Sequence, residues 1–118
     1  MEGEKKLKIL LVEDDEVDLI AFERLVKKEK LPYDYFMVRS VSEGIKVVTS
    51  ENFDVVIMDY FLKDGTAFDI LTKIPKGIPT IIVTGTGNEE IAVKAMKLGA
   101  SDYLIKDPNG NYLKTLPL

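Results

Sequence analysis

The stretch VVIMDYFLKDG, residues 55–65, decides how this chain is read. Its first four residues, Val55 to Met58, are apolar without alternation, the pattern of a short strand covered on both faces. The run then meets Asp59 and continues through Tyr60, Phe61 and Leu62. A carboxylate at the edge of a core is costly unless a cation or a hydrogen-bond donor meets it. The rest of the sequence has to provide that partner.

Four more short runs rich in aliphatic and aromatic residues stand on either side: LKILLV (7–12), YFMV (35–38), TIIV (80–83) and DYLI (102–105). With 55–58 they predict five strands. Between them, Val17, Ala21 and Leu25 recur at helical spacing, as do Val41, Ile45 and Val48, then Phe68, Leu71 and Ile74, then Ile91, Ala95 and Leu98. Those stripes predict four helices, each with one buried face. Asp15, Ser42 and Asn88 are suitable N-caps, and Asp18 supplies the acid that would complete a capping box with Asp15 and complement the helix dipole. Gly99 is placed to end the fourth helix, while Pro32, Pro75 and Pro79 punctuate the connections. Alternation of strand and helix implies a parallel sheet with helices on both faces and right-handed crossovers.

Composition narrows the function. A chain of 118 residues fits one domain with a single substantial core, and residues 1–6 are expected to be disordered. The net charge of -4 gives no support to a nucleic-acid surface. Cysteine and histidine are both absent, which removes disulfides, thiolate chemistry, the usual general base and most zinc sites. No apolar run approaches a membrane span and MEGEKK lacks the apolar stretch of a signal peptide, so a soluble, cytoplasmic protein is expected. The fragment GTG at 85–87 lacks the pattern and the lysine of a nucleotide loop and reads as a connection.

In a doubly wound sheet, functional residues gather just past the carboxyl ends of the strands. Glu13, Asp14 and Asp15 follow the first strand, Asp59 the third, Thr84 and Gly85 the fourth, and Lys106 the fifth. If the first and third strands are neighbours, Glu13 and Asp14 meet Asp59. Acids packed that closely repel and hold protons more tightly unless a cation sits among them. A hard divalent ion with oxygen ligands fits such a set, and Mg2+ is the natural candidate. Asp64, before Gly65, reads as a turn residue.

The segments ILLVEDD, VVIMD, TIIVTG and GASDYLIKD, in that order and each at the end of an expected strand, resemble the response-regulator receiver domain of two-component signal transduction. The resemblance runs from about Lys6 to Lys106 and implies a flavodoxin-like doubly wound five-stranded parallel sheet of order 2-1-3-4-5. It implies that Asp59 is the phosphoacceptor, charged from a phosphohistidine on a partner. It further implies that Glu13, Asp14, Asp59 and the backbone carbonyl of Phe61 hold Mg2+, that Thr84 and Lys106 meet the phosphoryl group, and that Tyr103 is an aromatic switch residue whose ring turns inward when Thr84 shifts. The expected partners are a histidine kinase or histidine phosphotransfer protein and an attached or separate output domain. A weak homodimer through the face of the fourth helix, fifth strand and last helix is also expected. Direct nucleic-acid and membrane contacts are not. On this reading the chain is a signalling domain, not an enzyme, though one that assists its own phosphotransfer and dephosphorylation, and its parent could be a hybrid histidine kinase.

The chemistry stands without the family. Phosphoryl transfer needs an in-line nucleophile and cations on the oxygens of the moving group. Asp59 supplies the first, and Lys106 with a metal the second. An acyl phosphate is labile, so the mark is reversible.

Several positions tune or depart from this pattern. Asp107 stands between Lys106 and Pro108 where receivers usually carry proline directly, so a cis bond after Lys106 is not expected, since a non-proline cis peptide costs about 2.5 to 4 kcal/mol. Gly85 leaves access to the acceptor, while Phe61 and Thr86 offer no strong base toward water, which predicts a slow reset of minutes or longer. Only DPNGNYLKTLPL follows the fifth strand and Lys106, which predicts a short or truncated last helix and a single receiver domain, 1–118, excised from a longer protein. Two alternatives keep the sheet: a pseudo-receiver interaction module that takes no phosphate, and an aspartyl-phosphate phosphatase, which would need a second aspartate where Phe61 stands. A flavodoxin relative binding a mononucleotide is more distant, because the first loop is acidic where a phosphate would need amides and glycine.

Overall fold

The computed structural model describes residues 6–85, 88–107 and 111–115. Its centre is a parallel sheet of five strands: β1 (Leu7–Val12), β2 (Tyr33–Val38), β3 (Val55–Asp59), β6 (Thr80–Thr84) and β7 (Asp102–Ile105). Their order is β2-β1-β3-β6-β7. Counting those five strands alone, this is the 2-1-3-4-5 arrangement. The remaining two strands, β4 (Phe61–Leu62) and β5 (Gly65–Thr66), form a small antiparallel hairpin directly after β3. That hairpin was not foreseen, because two-residue strands are too short to carry any periodicity.

Alternation along the central strands divides the core into two layers. Leu10, Val12, Val56, Met58 and Ile82 face helices α2 (Val41–Val48), α3 (Ala67–Leu71) and α4 (Glu89–Lys97). Ile9, Leu11, Val55, Ile57, Ile81 and Val83 face helix α1 (Glu16–Lys28) together with Tyr112 and Leu113 of a 3-10 segment, Asn111–Thr115. The expected short last helix is therefore one 3-10 element, and Pro108 and the apolar Leu116 and Leu118 lie outside the described residues. Helix α2 comes close to the α3 layer through Gly44, where a Cβ would stand 2.6 Å from Ile70 Cδ1.

Four local readings need correction. The buried stripe of α1 is Leu19, Phe22 and Val26, whereas Val17 is 72% exposed. This helix carries apolar residues on more than one stripe, and the one bearing the large Phe22 ring turns inward, where it buries the most area. The cap of α2 is Ser40, whose hydroxyl accepts from Glu43 N, not Ser42. Helix α3 ends at Leu71 and does not reach Ile74. Ile74 precedes Pro75, and the residue before proline is pushed out of helical geometry. Strand β2 begins at Tyr33, two residues before the apolar run, because its main-chain ladder with β1 starts at the Leu7 and Tyr33 pair. Among the described residues no cis peptide bond occurs, and no helix is long and apolar enough to cross a membrane.

Candidate functional site

The register of the sheet assembles the site. Val12 of β1 pairs with Met58 of β3, so Glu13 and Asp14 emerge beside Asp59. Each of these three carboxylates offers an oxygen, and those oxygens lie within 4.8 Å of one another. Asp59 pairs with Val83 of β6, which sets Thr84 one residue beyond, at the end of that strand and 2% exposed. Lys106 follows β7 and is fixed by its own backbone, since its N–H donates to the Thr84 carbonyl at 2.8 Å. Four strand ends thus converge on one cleft.

The ammonium of Lys106 is the answer to the question posed by Asp59. Its Nζ lies 2.8 Å from Glu13 Oε1, 2.7 Å from Asp18 Oδ2 and 3.5 Å from Asp59 Oδ1. Glu13 is 3% exposed, and its second oxygen accepts from Asp15 N at 3.1 Å. The N-cap role of Asp15 is also present, with its carboxylate accepting from Val17 N. The role expected for Asp18 differs: it stands in the first turn of α1, but its carboxylate is bound to Lys106 instead of closing a capping box. The short link from Glu13 across Asp15 to α1 brings that turn over the cleft, within reach of a cation.

Burial governs the electrostatics. It pushes the Glu13 carboxyl up from an ordinary 4.5 to about 7, with the charge of Asp59 adding to it and the Lys106 hydrogen bond opposing. Burial raises Asp59 also, against the lowering effect of Lys106. For Lys106, burial alone would lower the pKa, but hydrogen bonds to Asp18 and Glu13 and the charges of Glu13 and Asp59 more than offset it, so the group is raised. Tyr112 is buried behind this cluster, and burial followed by the charge of Asp18 pushes its phenol up to about 12.

The donor set suits a hard divalent cation: it is all oxygen, negatively charged and partly open to solvent, with Glu13 buried and Asp14 and Asp59 half-buried. Around it, Phe61 is 56% exposed, with its ring edge-on to Tyr60 at 4.7 Å, and Tyr60 meets Phe68 at 5.0 Å. Among the described residues, a Cβ at Gly85 would touch nothing within 4 Å. Thr86 lies outside the described residues. Tyr103 pairs with Ile82, packs against the α2–α4 layer and already has its hydroxyl buried, without a hydrogen-bond partner among the described residues.

Comparison with known proteins agrees with this geometry. The family model described as "Response regulator receiver domain" matches residues 9–116. The chain belongs to this family. It is 34% identical to the photosynthetic apparatus regulatory protein RegA of Cereibacter sphaeroides, over 87% of this chain and 56% of RegA. It is 33% identical to the transcriptional regulatory protein CusR of Escherichia coli, over 85% of this chain and 44% of CusR. Among solved structures, the non-phosphorylated HemR receiver domain of Leptospira biflexa is 29% identical with a TM-score of 0.79, covering 94% of this chain and 91% of that one. The chain spans between 24% and 57% of the length of the first curated relatives it matches. It is a receiver domain of the kind found in response regulators of two-component systems, a signalling domain of flavodoxin-like fold.

Of the residues singled out in the receiver sequence, Glu13, Asp14, Asp59 and Lys106 come together in the cleft, and Thr84 ends the adjoining strand. Two residues were underrated. Asp18 stands in the first turn of α1, and its contact with Lys106 spans 88 residues, which leaves no local sequence signal for its reach into the cleft. Asp64 is more than a turn residue: its two oxygens accept from Val41 N at 2.8 Å and Ser42 N at 3.0 Å, tying the loop after Asp59 to the start of α2. Those bonds hold its carboxyl below the usual range. A contact across 22 or 23 residues leaves no local sequence signal.

Proposed function

We propose that this receiver domain takes a phosphoryl group on Asp59 from a phosphohistidine of a histidine kinase or phosphotransfer protein and passes the change to a protein surface. The observation that supports it most is the meeting of Asp59, the Glu13 and Asp14 carboxylates and the Lys106 ammonium at one sheet edge. One Asp59 carboxylate oxygen attacks phosphorus in line, a P–O bond forms, the P–N bond to the donor imidazole breaks, and the electron pair leaves with that nitrogen. Lys106 would neutralise the oxygens of the transferring group, and the Thr84 hydroxyl would hydrogen-bond one of them. Glu13, Asp14, Asp59 and the Phe61 carbonyl would hold Mg2+, which when bound supplies positive charge to those same oxygens.

The switch would run through Thr84, at the end of β6, and Tyr103, on the neighbouring strand β7, which packs against the α2–α4 layer. Phosphorylation shifts a pre-existing equilibrium by as much as the two states differ in holding the phosphoryl group. The greater length of the curated relatives supports a single receiver unit acting with an output region, attached or separate. Phe61 in place of a second aspartate argues against an aspartyl-phosphate phosphatase. The test is beryllofluoride titration followed by backbone NMR. Saturable, Mg2+-dependent shifts at Thr84 and Tyr103 that vanish in Asp59→Asn are expected, and no response in the folded wild type would overturn the reading.

A further inference from the structure

We propose that Asp18 is a positioning residue for Lys106, holding the ammonium aimed at Asp59 by a tether independent of the carboxylates that surround the cation site. The inference rests on the phosphoacceptor reading above and deepens it.

A lysine ammonium has three N–H donors. In this cleft Glu13 Oε1 at 2.8 Å and Asp18 Oδ2 at 2.7 Å each take one, at charge-assisted distances. The neighbour left for the third is Asp59 Oδ1, at 3.5 Å. Two anchors on a tetrahedral group fix the direction of the third bond, so the lysine is aimed before any phosphoryl group arrives. The Lys106 side chain is 14% exposed and that of Asp18 23%, so solvent screening of the pair is limited.

The two anchors are not equivalent. Glu13 belongs to the set of three carboxylates that could hold a cation, so a cation there would compete with the lysine for its charge. Asp18 comes from the first turn of α1 and is outside that set. Its bond to Lys106 therefore does not run through those three carboxylates.

The test is a double-mutant cycle on the rate of phosphorylation by acetyl phosphate at saturating Mg2+, using Asp18→Ala, Asp18→Asn, Lys106→Ala and the Asp18→Ala, Lys106→Ala pair. Asp18→Ala is expected to slow the reaction about tenfold and Asp18→Asn, whose amide oxygen still accepts the bond, by less. In the Lys106→Ala background Asp18→Ala is expected to add nothing. A parallel readout needs no phosphorylation: the Lys106 Nζ–H signal in 15N NMR is expected to exchange several-fold faster in Asp18→Ala than in wild type. An Asp18→Ala rate equal to or above wild type, an equal slowing without Lys106, or unchanged ammonium exchange would each overturn the proposal. Circular dichroism of each variant keeps misfolding apart from these outcomes. A wild type that takes no phosphoryl group defeats the proposed function, while the exchange measurement still decides the placement of Lys106.

Discussion

Raising the pH should weaken the metal-free protein, and the structure says by about how much. The Glu13 carboxyl is carried from 4.5 in the open chain to about 7 in the fold by burial, so between those values the folded state holds a proton that the unfolded state has released. Stability from this group is complete below pH 4.5 and is lost as the pH rises through about 7. Each pH unit across the window corresponds to about 1.4 kcal/mol, an upper limit of about 3 kcal/mol in all, and hydration of the open cleft reduces it to roughly 2 kcal/mol. Asp59 is raised as well and acts in the same direction. The assay is urea unfolding of the metal-free domain at pH 5.5 and pH 8, on wild type and on Glu13→Gln, which cannot titrate. Wild type should lose midpoint relative to the variant as the pH rises, with no change of slope. Saturating Mg2+ should reverse the trend, because binding needs the ionised carboxylates and releases their protons. Parallel pH profiles for wild type and Glu13→Gln, or a wild type that gains stability on the variant toward pH 8, would refute the reasoning.

Three further outcomes follow from particular contacts. Tyr103→Phe removes a buried hydroxyl that has no partner among the described residues and should stabilise the unphosphorylated domain by about 1 kcal/mol in urea unfolding, while blunting any response that depends on the hydroxyl. Asp64→Ala frees two N–H groups at the start of α2 and should lower the urea midpoint. Because its carboxyl is held below 3.8, the wild-type advantage should be present above that pH and shrink as the pH falls through and below it. Phe61, exposed two residues past Asp59 and without a base, should leave an Asp59-phosphorylated domain with a half-life of minutes or longer, and loss of the adduct within seconds by intact mass would refute that.

The sheet was legible because its central strands are continuous apolar runs, which few other structures permit. Val55–Met58 and Thr80–Val83 needed only a residue added at the end, Asp59 and Thr84. Helix faces were less legible where apolar residues crowd, and α1 turned Phe22 inward while leaving Val17 in solvent. The acids and the lysine were legible by position, each just past a strand. What local sequence could not carry was the network joining distant segments: Asp18 to Lys106 across 88 residues, and Asp64 to the α2 amides. Such contacts depend on the pairing of all five strands in the order β2-β1-β3-β6-β7, which exists only once the sheet has formed.

The central claim, that Asp59 is the phosphoacceptor, is tested most directly by intact mass after incubation with acetyl phosphate, with and without Mg2+, on wild type and on Asp59→Asn. A single Mg2+-dependent phosphoryl adduct in the wild type and none in the variant is the predicted result. No adduct in the folded wild type, or an adduct that persists in Asp59→Asn, would contradict it.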